Sequence, residues 1–316
     1  VLTVGIDVGG TTVRAGVVDN HGSVLDTART ATPAGQDALE NAISSVVTQL
    51  THRHEVSAVG LAVAGFVTED RRGVRFAPHL AWRQSPVADR MSRKLRLPVV
   101  LEHDANAAAM AEYRFGAARG ARVSVMVALG TGIGGALLID GEVFRGAYGV
   151  APELGHLRVV PGGRPCPCGK RGCWERYCSG TALAATTVEL LATEPGLSTV
   201  LAREPVRDGR TVTGRAVAGA AREGDPLALR AFAELARWLG EGLALVADVY
   251  DPEVVVIGGG VSESAPLFLD EAREHYAKQV TGAGHRPLAR IRPAQLGDDA
   301  GIVGAAALAA DLVARV

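Results

Sequence analysis

Four cysteines, Cys166, Cys168, Cys173 and Cys178, fall in one short segment, and the rest of the chain has none. That placement is poor for disulfides that close long loops. The run Cys166-Pro-Cys168-Gly-Lys-Arg-Gly-Cys173 instead reads as three thiolates on a glycine-bearing loop able to wrap an ion. His156, upstream, is the natural fourth ligand for a tetrahedral zinc, and four protein ligands would close the coordination shell, so the zinc is expected to be structural. Cys178 lies beyond the loop and reads as a buried free thiol. Ligation would occupy one imidazole nitrogen of His156 and leave the other as an oriented N–H donor. Glu153 and Glu175 bracket the same stretch. Two carboxylate acceptors and one oriented donor suit a polyol, although exposure to water is the commoner fate of any glutamate.

Three glycine clusters carry a second kind of chemistry. Asp7-Val8-Gly9-Gly10-Thr11-Thr12 puts a carboxylate at a strand end, followed by two residues without Cβ, so that backbone N–H groups can approach an anionic phosphate. An ordinary hairpin turn with a surface Asp would read the same way. Gly130-Thr131-Gly132-Ile133-Gly134-Gly135 is a second such loop, and a strand rather than a helix follows it, which excludes a dinucleotide-binding fingerprint. Gly258-Gly259-Gly260 follows a fully apolar run and precedes Ser262, where a helix could start. Three glycine turns, each ending a β-run, are harder to dismiss than one. Asp104 stands where a strand stops and an alanine-rich helix begins, which suits an N-cap. A carboxylate there is kept ionised by the helix dipole and is also available as a proton acceptor.

The elements that must position these groups are legible in part. Leu2 to Val8 and Val13 to Val18 read as a hairpin ending near Asn20-His21-Gly22, residues 37 to 51 as a helix, Val56 to Ala64 as a buried strand, and Val99 to Glu102 as a short strand leading into a helix from Ala105 to Phe115. The strand, glycine turn, strand unit then recurs, with Val123 to Leu129 before Gly130 and Gly135 to Ile139 after it. A helical block covers roughly 213 to 250, Val254 to Ile257 is a strand, and an Ala/Leu helix runs from Gly301. At 316 residues and 47% hydrophobic content, two cores are expected, joined by ordered segments with a cleft between them. With 33 basic and 34 acidic residues the formal charge is −1, leaving no excess of positive charge to attract nucleic acid or an anionic membrane. The N-terminus lacks a basic leader and cleavage site, and Asp248, Asp251 and Asp311 interrupt the longest apolar runs, so a soluble cytoplasmic protein is expected.

Together these residues resemble the ROK family of sugar kinases and repressors, within the actin-like ATPase superfamily. The resemblance covers nearly the whole chain: the Asp7 to Thr12 hairpin, Gly65 in Ala64-Gly65-Phe66, Glu102-His103-Asp104-Ala105-Asn106, the Gly130 to Gly135 loop, Glu153-Leu-Gly-His156, the cysteine loop ending at Glu175, and Val256-Ile257-Gly258-Gly259-Gly260. Within the family the chain resembles most the bacterial, particularly actinobacterial, glucokinase group. The resemblance implies an α/β fold of two actin-like (ribonuclease H-like) lobes around a central cleft. We expect residues 1–118 to form the small lobe, with the helix of about 301–316 returning to it, and residues 119–300 to form the large lobe with the zinc loop.

The implied activity is transfer of phosphate from ATP to the 6-hydroxyl of glucose, with Asp104 as general base. Gly65, His103, Asp104, Glu153, His156 and Glu175 are implied to hold the sugar. The phosphates fall to Asp7, Gly9, Gly10, Thr11, Thr12, Gly130, Thr131, Gly132 and Gly134, and the nucleoside lies near Gly258, Gly259 and Gly260. Mg²⁺ would be organised through water by Asp7, while zinc would be held by His156, Cys166, Cys168 and Cys173. Many relatives carry Asn where His103 stands, and Asn offers both a donor and an acceptor, so the contact made there is the departure from the pattern. Lobe closure on sugar binding is expected, because an open site lets water compete as acceptor.

Sugar and ATP are thus the expected partners, with no nucleic acid or membrane partner, and a homo-oligomer, dimer or tetramer, is expected. A repressor of the same family would carry a DNA-binding helix-turn-helix ahead of the body, whereas here the first strand starts by Leu2. The sequence also leaves open a non-catalytic sugar sensor, a kinase for fructose, mannose or an N-acetylhexosamine, and polyphosphate as donor.

Overall fold

The computed structural model describes residues 1–194, 196–202 and 212–314, so the last two residues of the expected C-terminal helix lie outside the described ones. The chain packs as two compact units. The first comprises Val1–Val125, Ala136–Pro152 and Ala294–Val316, and the second Met126–Gly135 and Glu153–Pro293.

The chain opens with strands β1 (Thr3–Val8), β2 (Thr12–Val18) and β3 (Val24–Ala31), then helix α1 (Gln36–Thr51) and strand β4 (Val59–Val63). Short strands β5 (Phe66–Val67), β6 (Val74–Phe76) and β7 (Arg83–Ser85) precede helix α2 (Val87–Leu95), strand β8 (Val99–His103) and helix α3 (Asp104–Phe115). Strands β9 (Val123–Leu129), β10 (Ile133–Ile139) and β11 (Glu142–Val143) follow. After the cysteine loop come helices α4 (Gly180–Thr193), α5 (Gly214–Arg222) and α6 (Pro226–Tyr250), strand β12 (Val254–Gly258), helix α7 (Leu269–Gln279), strand β13 (Arg290–Pro293) and helix α8 (Ala300–Ala314).

One five-stranded sheet has the order β3-β2-β1-β4-β8, antiparallel across the β1–β2–β3 meander and parallel from β1 to β4 to β8. A second has the order β11-β10-β9-β12-β13, and β5, β6 and β7 form a small antiparallel sheet. The runs Val-Gly-Leu-Ala-Val of β4 and Val-Val-Val-Ile-Gly of β12 are buried at every position, as expected for parallel strands covered on both faces. In the first unit the core gathers Val4, Ile6 and Val8 with Leu39, Ile43 and Leu50 of α1 and with Trp82 and Met91.

Helix α8 packs on β1, β4 and α3 through glycines. A Cβ at Gly5 would lie 1.8 Å from the carbonyl oxygen of Ile302, one at Gly60 1.9 Å from that of Ala305, and one at Gly304 1.7 Å from that of Ala107. Thr3 Oγ1 donates to Ala306 O across the same contact at 2.9 Å. Because the obstacle is backbone, no rotamer change relieves it. We expect Gly60→Ala to lower unfolding free energy by at least about 3 kcal/mol, the upper part of the range for overpacked cores, in urea titrations.

Two elements differ from the sequence expectation. The helical block from 213 to 250 is broken at Gly224-Asp225, where Asp225 accepts from the N–H groups of Leu227 and Ala228 and caps α6, with Pro226 in its first turn. The Gly258 cluster leads into a 3₁₀ segment, Gly260–Leu267, rather than an α-helix at Ser262. Among the described residues no helix is long and apolar enough to cross a membrane.

Candidate active site

The β1–β2 turn is closed by Gly9 N–H donating to Thr12 O at 3.1 Å, and Thr32 fastens it from β3's end by donating Oγ1 to Gly9 O at 2.6 Å and N–H to Thr11 O at 3.0 Å. Gly10 and Thr11 stand exposed at its tip. Asp7 accepts from Arg14 Nη2 at 2.7 Å, and the same nitrogen donates to Asp298 O at 2.9 Å. Burial pushes the Asp7 carboxyl above its ordinary range and the negative charges of Asp104 and Asp298 add to this, while Arg14 pulls the other way. The hairpin carboxylate and Asp104 thus lie within electrostatic range in the first unit. Gly65 is wedged beside β6, where a Cβ would lie 2.7 Å from Ala77 Cβ and 2.8 Å from Phe76 O.

Asp104 is not the cap of α3. His103 occupies the N-cap position, with no side-chain capping bond, and Asp104 is the first helical residue. Its Oδ1 accepts from Ala105 N–H at 2.7 Å and lies 3.2 Å from His103 Nε2, and its side chain is 44% exposed. A first-turn carboxylate still profits from the helix dipole, and its exposure leaves it open to a ligand.

In the second unit Glu153 directly precedes a 3₁₀ turn, Leu154–His156, and Glu175 lies in another, Trp174–Arg176. The turns are laid together by Trp174 N–H donating to Leu157 O at 2.8 Å and by the bridge of Arg158 with Cys173. Trp174 is fully buried, donates Nε1–H to Trp238 O at 2.7 Å, and fills the space where a Cβ at Gly242 of α6 would stand. That anchor fixes Glu175. The outcome is convergence: His156 Nε2 lies 3.9 Å from Glu153 Oε2, and His156 Nδ1 lies 3.9 Å from Glu175 Oε1.

The ligand atoms of His156, Cys166, Cys168 and Cys173 all lie within 4.8 Å of one another. Cys168 Sγ is 3.6 Å from Cys173 Sγ, and Cys166 Sγ is 3.8 Å from His156 Nδ1. Zinc–sulfur and zinc–nitrogen bonds of about 2.3 and 2.0 Å at tetrahedral angles require edges of roughly 3.5 to 3.8 Å, so the donor set fits that ion. Cys178 stands apart, fully buried, and burial pushes its thiol up.

The β9–β10 turn is held by Gly130 N–H to Gly132 O at 3.0 Å and by Gly180 N–H to Gly130 O at 2.8 Å. A Cβ at Gly132 would lie 2.4 Å from Glu175 Oε2, so the turn abuts the carboxylate cluster, and a larger residue there would have to displace the Glu175 carboxylate. Beside the turn is a cavity of about 700 Å³, mostly apolar, lined by Gly130, Thr131, Gly180, Ala218, Gly260 and Val261 among others. Of the expected nucleotide residues, Gly130, Thr131 and Gly260 line it, whereas Gly132 and Gly134 do not. Gly258 ends β12, and Gly259, at φ 78°, sits where a Cβ would meet the Leu129 backbone at 2.5 Å. Sequence reasoning missed the walls that α4 and α5 supply. The signal present was Ser179 before Gly180, which caps α4 by accepting from Ala182 N–H at 3.0 Å. It also gave no role to Glu102 and Arg145, whose side chains meet in the first unit.

The sequence matches the ROK family over residues 3–312. It is 44% identical over 310 residues to a glucokinase of Streptomyces coelicolor, covering 98% of this chain and 97% of that one. The fold is similar to that of a ROK family glucokinase from Streptomyces griseus solved in complex with glucose and AMPPNP, with a TM-score of 0.86, 44% identity, and coverage of 98% of this chain and 100% of the other. It is also similar to the ROK hexokinase of Thermus thermophilus, with a TM-score of 0.83, 34% identity and full coverage of both chains. The fold class is that of these sugar kinases, the actin-like two-lobed α/β fold.

Proposed function

The chain belongs to the ROK family and is an ATP-dependent sugar kinase, and from that premise we propose that it phosphorylates glucose at the 6-hydroxyl with Asp104 as general base. The observation that carries the substrate is the convergence of Glu153, His156 and Glu175 in a chain 44% identical to a Streptomyces glucokinase. A hexose offers vicinal hydroxyls, each both donor and acceptor, and the carboxylates of Glu153 and Glu175 on either edge of the His156 ring, with one ring N–H as donor, match that pattern. The donor is His156 Nε2–H. Its Nδ1 faces Cys166, so ligation there fixes the tautomer and leaves Nε2 directed toward the same space as Glu153. In this reading Gly65 and His103 complete the sugar contacts.

The nucleotide belongs in the apolar cavity beside Gly130, Thr131 and Gly260, where a base is shielded from water, and the β9–β10 turn, exposed at Thr131, carries its phosphates. Asp7 would organise, through water, the Mg²⁺ that accompanies ATP, and that ion would supply charge neutralisation at the phosphoryl oxygens. Positioning and electrostatics dominate such transfers, and the one proton to be moved leaves the sugar hydroxyl for Asp104 as the oxygen attacks. The residues His156, Cys166, Cys168 and Cys173 would hold a structural zinc, which contributes no step of its own.

A coupled assay across glucose, fructose, mannose and N-acetylglucosamine, each with ATP and with polyphosphate, tests the assignment. Glucose with ATP is expected to show the highest kcat/KM, and omission of Mg²⁺ is expected to abolish turnover. Equal or better turnover of fructose or an N-acetylhexosamine would overturn glucose as the substrate.

A further inference from the structure

Two residues before Asp104, Glu102 is a carboxylate with 3% of its side chain exposed. Its two carboxylate oxygens accept four hydrogen bonds, each made within the first unit. Oε1 accepts from His103 N–H at 3.0 Å and from Asn106 Nδ2 at 2.9 Å, and Oε2 accepts from Arg145 Nε at 2.9 Å and from Arg145 Nη2. A single oxygen therefore fastens the chain on both sides of Asp104, at residue 103 and at residue 106. This matters because the cap residue of α3 makes no side-chain capping bond, so the usual means of fixing a helix entry is absent at this junction. Glu102 takes its place.

The orientation of Glu102 depends in turn on Arg145. The guanidinium holds Oε2 with two parallel donors, a fork that a lysine cannot reproduce, and thereby presents Oε1 to residues 103 and 106. Arg145 is itself held, since its Nη1 donates to Val143 O at 3.1 Å and its carbonyl accepts from Ala151 N–H at 3.1 Å. Stability alone is a weak reason for such an arrangement, because a buried ion pair commonly gives way to apolar side chains without loss. What apolar side chains cannot do is fix the direction in which the β8–α3 junction turns.

We propose that Arg145 is a positioning residue for phosphoryl transfer, acting through Glu102 to hold Asp104 in its reactive placement. This rests on Asp104 being the base. A displacement on the order of 1 Å at a reacting group costs about a hundredfold in rate, so loosening the junction acts on kcat, while the nucleotide cavity, built from other residues, is left alone.

The test is a double-mutant cycle on the full chain with glucose and ATP. In the Glu102→Gln/Arg145→Met variant no buried charge is left uncompensated, so it is expected to melt within a few degrees of the parent. Its kcat is expected to fall about ten- to a hundredfold, with the KM for ATP changed less than about threefold. Arg145→Lys keeps the charge and supplies the same measurement should the neutral pair fail to fold. In the Asp104→Asn background the Arg145 substitution should cost almost nothing further, since both act on one carboxylate. A folded neutral pair, or Arg145→Lys, with the parent's kcat overturns the inference, as does an undiminished Arg145 effect in the Asp104→Asn background. A parent whose turnover survives Asp104→Asn overturns the reading of Asp104 itself, and the inference with it.

Discussion

Asp104→Asn is expected to reduce turnover by at least about a hundredfold, the low end of general-base contributions, while folding and metal content stay near the parent's. The placement of the residue makes this a clean substitution. Asp104 is not the capping residue of α3, and its one backbone contact, Oδ1 accepting from Ala105 N–H at 2.7 Å, is available to an asparagine carbonyl oxygen. Its side chain is 44% exposed, so no buried cavity or unpaired charge is created. The change loses a first-turn charge, worth roughly 0.3–1 kcal/mol through the helix dipole, and that loss is small beside the catalytic effect. A neutral amide accepts no proton and holds no charge beside the attacking hydroxyl. Glucose affinity should weaken only modestly, because Glu153, His156 and Glu175 remain. A melting curve, a zinc determination and a turnover measurement on one preparation decide the matter. Turnover within a few-fold of the parent would reduce Asp104 to a helix-entry residue and revive the sensor reading of the chain.

The second large effect is expected at Cys168. The protein purified without added zinc should contain one ion per chain, and Cys168→Ser should lose it, melt markedly earlier and bind glucose at least about tenfold more weakly. Cys168 is exposed, which makes the two readings of it diverge. A surface thiol outside any site changes stability by no more than about 0.5 kcal/mol on replacement. A zinc ligand forfeits part of the roughly 10–16 kcal/mol with which structural zinc stabilises zinc-finger peptides. The coupling to sugar is geometric: Cys173 immediately precedes the turn that carries Glu175, and His156 belongs to both the metal set and the carboxylate cluster. Full zinc content together with unchanged glucose affinity in this variant would refute the site.

Where a candidate group rests on short-range spacing, the sequence was enough to single it out. The cysteine loop with His156, the Asp7 to Thr12 turn, the Gly130 to Gly135 turn and the strand-to-helix step at Asp104 are each local, and the strand over Val123 to Leu129 has the ends that alternation and bounding residues predict. The elements not anticipated, among them β3, β5 to β7, α2, α4, α7 and β13, are short or polar or lack a clear period. The Arg83-Gln-Ser85 strand, for instance, owes its form to pairing with β6 and not to propensity.

Local pattern therefore determined the order of strands and helices read along the chain, the repeated strand, glycine turn, strand unit, and the inventory of donors, acceptors and thiolates, because these depend on residue type and on spacings within one turn or one loop, while the α/β two-lobed class came with the family resemblance. Tertiary structure decided which of those groups meet. Gly5, Gly60 and Gly304 are required because α8 packs backbone against backbone, and the carboxylate of Glu175, far along the chain, comes to rest where a Cβ of Gly132 would stand. Glu102 finds Arg145 across a sequence separation of 43, and α4, α5, the β9–β10 turn and the segment after Gly260 come together to line one cavity. No periodicity encodes such contacts. They follow from the mutual exclusion of closely packed atoms and from the need of each buried polar group for a partner, conditions that act only once the elements have assembled.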